Sequence, residues 1–206
     1  MKKILYSFLT LILGLVLSSS GCTHDTIDPA LFDEGVEING VIWATRNVGE
    51  FGKFAANETD PGMFYQWNRK TAYSATDPLT PAWNTAAISA PFDPANDPCP
   101  DGWRRPTWQE AITLRDATKV DYAWEGNGGR FKDKTTPDNA IFLPAAGYRS
   151  EVDGSLLNKG VYGNYWENWS DDSTIGGIII FWNGGTGSTN GLYLQAYPIR
   201  CVKGAK

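Results

Sequence analysis

The side chains in this sequence that could do chemistry are few and widely spaced. Three are cysteines, Cys22, Cys99 and Cys201, and the only histidine is His24. One histidine beside the first cysteine leaves no Ser-His-Asp or Cys-His machinery and no imidazole-based metal site. GxSxG, phosphate-loop and HExxH patterns are absent. Two chemistries remain. Cys99 and Cys201 can act as a reactive thiol pair or form a bridge. Glu167, Asp171 and Asp172 can hold a cation or work as acid and base, although a solvated loop explains that acidic group more simply. No catalytic residue, metal ligand set or cofactor is assigned.

The third chemistry is contact. The last forty residues interleave aromatics with small polar residues and glycine. Trp169, Trp182 and Tyr193 are the rigid members. Asn164, Glu167, Asn168 and Asp171 precede or surround the first of them, and Asn183, Asn190 and Gln195 accompany the others. Together these ten residues form a candidate ligand-binding set, with rigid contact area beside adaptable hydrogen-bonding groups. The aromatics could also stack on sugar rings. Core packing is the competing role: for Trp169 and Trp182 the two are balanced. Trp43, Trp67, Trp103 and Trp108 are assigned to the core or its boundary.

Positioning such a surface needs an address and a scaffold. Residues 1–21 read as an export signal: Lys2 and Lys3, then an apolar stretch from Leu5 to Leu17, then the small residues Ser18 to Gly21. The stretch is too short and wrongly flanked for a stable membrane span. The small residues before Cys22 resemble a bacterial lipobox, which implies a diacylated Cys22 as mature N-terminus. Ordinary secretory cleavage is the alternative. Acyl chains on Cys22 would anchor the protein, each buried methylene adding roughly 0.8 kcal/mol. Residues 22–35 then read as a flexible, polar tether, in which Asp25-Thr-Ile27 resembles an O-glycosylation site of Bacteroides. With Cys22 acylated in an oxidising compartment, Cys99 and Cys201 pair most naturally as a disulfide. A catalytic pair remains the rival reading.

Composition bounds the rest. The 206 residues carry a net charge of −5, with scattered Lys and Arg, so no basic stripe for nucleic acid is present. Aromatics make up 13% of the chain, and 22 Gly with 12 Pro predict many turns. Residues 36–206 suit one domain. Val36 to Trp43 reads as a hairpin about Asn39-Gly40, continuing to Val48, and Met63 to Trp67 as an aromatic strand. Residues 71–100 read as an irregular excursion with room for one short helix. The clearest helix starts at the capping box Thr107-Trp-Gln-Glu110, places Trp108, Ala111 and Ile112 on one face, and fades near Ala117. Ile141 to Pro144 reads as a buried strand. Beyond Gly160 come short strands at Tyr165-Trp166, Ile178 to Trp182, Leu192 to Leu194 and Tyr197 to Val202. The Ile178–Trp182 run is apolar on both faces and therefore central. One helix among many strands predicts an α+β class.

Six ordered blocks resemble the Fibrobacter succinogenes major paralogous domain of Bacteroidetes-type lipoproteins. They run from Ile38 to Val48, Gly62 to Lys70, Asn96 to Thr107, Phe142 to Arg149, Gly163 to Trp166 and Ile199 to Val202. The resemblance implies a C-type-lectin-like domain, with mixed or antiparallel short strands, one or two helices and long irregular loops. It implies that the chain ends meet in one sheet and that Trp166, part of a block, belongs to the core. The related sulfatase-modifying enzymes use a differently spaced cysteine pair. The calcium-lectin motifs are missing, since Trp182-Asn183 is followed by Gly and Glu167-Asn168 lacks proline. The chain is also similar to targets of diversity-generating retroelements, which display a variable ligand surface; here that segment would be 163–202. The expectation is a surface-exposed outer-membrane lipoprotein, not an enzyme, holding a protein or glycan ligand. A sulfatase-modifying-type enzyme and a fimbrial or cell-envelope subunit are the alternatives.

Overall fold

Asn39 and Gly40 take φ of 47° and 78°, the left-handed pair of a type I′ turn. The turn folds Val36–Ile38 (β1) back on Val41–Asn47 (β2), with Val36 opposite Trp43. A computed structural model describes residues 28–88, 91–171 and 174–206. The export signal, Cys22, His24, the Asp25–Ile27 site and Asp172 lie outside the described residues. No helix among the described residues is long and apolar enough to cross a membrane.

After β2 come Phe64–Gln66 (β3), Ala72–Tyr73 (β4) and Trp103–Arg104 (β5). The helix Trp108–Leu114 (α1) precedes three strands, Val120–Glu125 (β6), Gly128–Asp133 (β7) and Ala140–Pro144 (β8). Two short strands follow, Tyr148–Arg149 (β9) and Leu156–Leu157 (β10). The C-terminal part holds Tyr162–Ser170 (β11), Ile175–Trp182 (β12), Gly185–Leu192 (β13), Ala196–Tyr197 (β14) and Arg200–Lys203 (β15). Four antiparallel sheets result, ordered β1-β2-β15-β5, β10-β9-β14-β3-β4, β11-β12-β13 and β6-β7-β8.

This architecture corrects the expected class. Strand accounts for 42% and helix for 7% of the described residues, so the domain is a sandwich-like β structure and not α+β. The C-type-lectin-like expectation falls with it. The undercount of strand comes from residues 120–133. Val120, Tyr122 and Trp124 point toward the core while Asp121, Ala123 and Glu125 are exposed, a period-2 pattern that Gly126 and the pair Gly128-Gly129 interrupt. Gly126 takes a φ of 54° in the turn, while Gly128 and Gly129 are packing features. A Cβ on Gly129 would lie 2.7 Å from Tyr122 Cε2, so the backbone passes too close for a side chain.

Other elements fall where the residues place them. The first and last strands, β1 and β15, flank β2 in one sheet. Strand β12 is central and buries Ile178 in one apolar cluster and Ile179 in another. The Leu192–Leu194 run is displaced: β13 ends at Leu192, and Tyr193 follows in a turn. Residues 71–100 are mostly irregular, with a 3-10 turn at Pro94–Asn96. Cys99 and Cys201 form a disulfide, with Cα atoms 6.0 Å apart. It fastens the end of that excursion to β15.

The capping box is complete. Thr107 Oγ1 accepts from the Glu110 amide at 3.2 Å, and the Thr107 amide donates to Glu110 Oε2 at 2.8 Å. The helix stops at Leu114, short of Ala117, and its buried residues are Ala111 and Leu114. Trp108 and Ile112 are turned outward, 43% and 39% exposed, so the expected apolar face is rotated. Trp43, Trp67, Trp103 and Trp166 are buried.

Candidate ligand-binding site

Strand β11 leaves the core part-way along its length. Gly163 through Glu167 are buried, while Asn168 and Trp169 are exposed. Its pairing with β12 shifts register between Trp166 and Ser170, which bends a strand and re-aims its side chains. Here the segment before α1 runs beside it. The Asn168 amide donates to the Pro106 carbonyl at 2.7 Å, and Thr107 and Asn168 form a parallel bridge. The capped helix start therefore sits against β11, and its first residue, Trp108, stands near Trp169.

Between them lies a cleft of about 410 Å³, lined by Trp108, Glu167, Trp169, Ser188, Thr189 and Asn190. Trp169 is 41% exposed, so both indoles offer free surface. Strand β13 supplies the two hydroxyls and the Asn190 amide.

Glu167 is buried at this cleft and is not part of a solvated loop. The residue is 1% exposed, and its Oε2 is buried with no hydrogen-bond partner. No ion pair reaches its carboxylate among the described residues. Space for it exists because β12 carries glycine alongside: a Cβ on Gly177 would lie 2.3 Å from Glu167 Oε1. Burial pushes the Glu167 carboxyl up to about 7, with Arg115 partly opposing the shift. Desolvation of the charged form outweighs that positive charge.

The other candidates divide. Asn190 pairs with Gly177 and lies at the cleft, whereas Trp182 pairs with Gly185 at the far end of β12. Five residue steps of strand separate the two ends, roughly 17 Å. Trp182 is 37% exposed, and its carbonyl accepts from the Tyr122 hydroxyl at 2.7 Å. Asn183 is exposed in the next turn. Asn164 is buried within β11, its Nδ2 without a partner. Tyr193 is buried and stacks on Trp67, with centroids 5.1 Å apart and planes 9° from parallel. Gln195 shapes a turn: Oε1 accepts from the Leu192 amide and the Tyr197 hydroxyl, and Nε2 donates to Glu151. Asp171 is exposed and accepts from the amides of Thr174 and Ile175 at 3.3 and 3.2 Å. The structure thus gathers Glu167, Trp169 and Asn190, keeps Asn168 beside them, and leaves the rest elsewhere.

Sequence reasoning missed Trp108, Ser188 and Thr189. The capping box held the usable signal for Trp108. A residue at the first helical position starts a turn before the helix settles on the core, so its face is decided by what runs past the cap.

No group of three or more His, Cys, Asp or Glu placed to hold a metal exists among the described residues. Among the described residues, Glu167 is the one acid or base lining the cleft. A larger cleft of about 610 Å³ lies near Thr59, Phe142, Pro144 and Lys159. Its lining has no tryptophan and no buried side-chain atom lacking a partner. Compared with known protein families, curated proteins and solved structures, the chain matches none.

Proposed function

We propose that this chain is an exported lipoprotein, acylated on Cys22 and displayed at the outer-membrane surface, whose folded domain is a non-catalytic binding module. The observation that carries the reading is the Glu167 cleft. A side-chain oxygen buried without a partner costs stability unless something else needs it, and here its residue lines a cleft with two half-exposed indoles. Aromatic surface beside adaptable polar groups is the composition of a recognition surface. Cys99 and Cys201 are joined and buried, which supports a scaffold role for both sulfurs and weighs against the sulfatase-modifying alternative.

The test compares wild type with the W108A/W169A double variant on glycan arrays and against cell-surface protein fractions. Both indoles stand outside the core, so the variant is expected to keep its near-ultraviolet circular dichroism apart from the two missing chromophores. Any ligand held by wild type is expected to weaken at least tenfold, as truncating central aromatic contacts does. Equal retention by both proteins would move the site elsewhere. Stoichiometric co-purification with an envelope polymer, and no separate ligand, would favour a structural subunit.

A further inference from the structure

We infer that the group received by this cleft is a cationic nitrogen, an amine or guanidinium, seated on the Glu167 carboxylate between the Trp108 and Trp169 indoles. The inference rests on reading the cleft as a binding site and names what that site selects.

Three features point to a cation. First, the buried charge is unmatched. Glu167 is 1% exposed, its Oε2 lacks a partner, and no Lys or Arg forms an ion pair with it among the described residues. Arg115 acts on it only at a distance, and its Nε donates instead to the Ala111 carbonyl at 3.3 Å. An ionised carboxylate out of water needs an opposite charge with good hydrogen-bond geometry. A neutral sugar supplies hydroxyl donors and leaves that charge uncompensated.

Second, the walls suit the same group. Indole faces attract cations more strongly than other aromatic side chains do. An ammonium has three N–H donors. One can go to Glu167, and Ser188, Thr189 and Asn190 offer side-chain oxygens for the others. Third, the chain is acidic, with net charge −5, which raises the local concentration of positively charged ligands.

Amine chemistry can come from a basic side chain of a partner protein, an amino sugar or a small free amine, and the probes separate these sources. The indole N–H signals of Trp108 and Trp169 are followed by ¹H–¹⁵N NMR while wild-type protein is titrated. The cationic probes are Nα-acetyl-lysine methylamide, Nα-acetyl-arginine methylamide, glucosamine and propylamine. The neutral controls are Nα-acetyl-norleucine methylamide and methyl β-glucopyranoside. Cationic probes are expected to move both signals saturably, at least tenfold more tightly than either control. The tightest cationic probe then names the source. E167Q is expected to lose that binding at least tenfold, with the remaining spectrum unchanged.

Equal saturation by a neutral control, or undiminished amine binding by E167Q, overturns the inference and leaves the cleft as a site of another specificity. No movement with any probe also overturns it. The W108A/W169A comparison then decides separately whether the cleft binds anything. Should E167Q fail to fold, the contrast between charged and neutral probes on wild type still decides the matter.

Discussion

Replacing Cys99 and Cys201 together with alanine is expected to lower unfolding stability by about 4–5 kcal/mol. The two residues are 102 positions apart, and cross-linking so long a loop removes much of the unfolded chain's freedom. The native side is equally exposed to the loss. Both cysteines are fully buried in the apolar cluster that holds Trp67, Trp103 and Trp166, so truncation leaves a cavity there. Cys99 also closes the irregular 71–100 excursion, whose ladder hydrogen bonds among the described residues are confined to β4. Urea unfolding of the oxidised wild type and the double variant measures the effect. A loss below about 1 kcal/mol would mean that packing alone fixes the excursion. The cleft depends on the same fastening, because Trp108 follows Cys99 within one short segment, and its indole signal should broaden in the variant.

Arg200→Met is expected to cost about 3–5 kcal/mol, the cost of three lost buried hydrogen bonds to a charged donor. Arg200 is fully buried and has no carboxylate partner among the described residues; burial lowers its guanidinium to about 10, so it stays charged at neutral pH. Its planar fork is satisfied by oxygens from two strands. Nε donates to Asn47 Oδ1 at 2.8 Å, Nη1 to the Ala44 carbonyl at 3.0 Å, and Nη2 to the Phe142 carbonyl at 2.9 Å. One side chain on β15 therefore ties β2 to β8, joining the sheet of the chain ends to the β6-β7-β8 meander. Methionine fills similar volume and leaves three buried acceptors unmet. Arg200→Lys should recover little, because an ammonium cannot span three acceptors in a plane. A change under about 1 kcal/mol on urea unfolding would show that water replaces the fork.

These two positions differ in how far the sequence revealed them. The disulfide followed from counting cysteines once Cys22 was set aside. Arg200 gave no signal, since nothing local shows that a charged residue beside Cys201 is fully buried. The same division runs through the fold. Asn39-Gly40 and the Thr107–Glu110 box act over a few residues, and both were legible. The class was not. The β6–β7 hairpin turns at Gly126 and runs on through Gly128-Gly129, where the bare backbone of Gly129 serves packing against Tyr122 and Phe181, and so the alternation was obscured. In the site, Trp169 and Asn190 were legible as exposed polar–aromatic sequence. The burial of Glu167 was not, because it depends on the pairing of β11 with β12, which sets Gly177 against it. Tyr193 entered the candidate set for its glycine-rich neighbours, and its stacking on Trp67 depends on a residue far upstream, in the turn after β3.

The central claim is that the Glu167 carboxylate is buried for a ligand and not for the fold. Unfolding of ligand-free wild type and E167Q between pH 5 and pH 8 (about 1 unit beyond the titrating range at its upper end) tests it most directly. The folded carboxyl sits near 7, above its ordinary 4.5. Between those values the folded state holds a proton that the unfolded state has lost, so this group's contribution falls as pH rises through that window. The glutamine variant lacks this penalty. It is predicted to match wild type near pH 5 and to exceed it by about 1–3 kcal/mol at pH 8. If E167Q is instead the less stable protein at pH 8, the carboxylate has a partner within the fold, and the cleft loses the feature that marks it as a binding site.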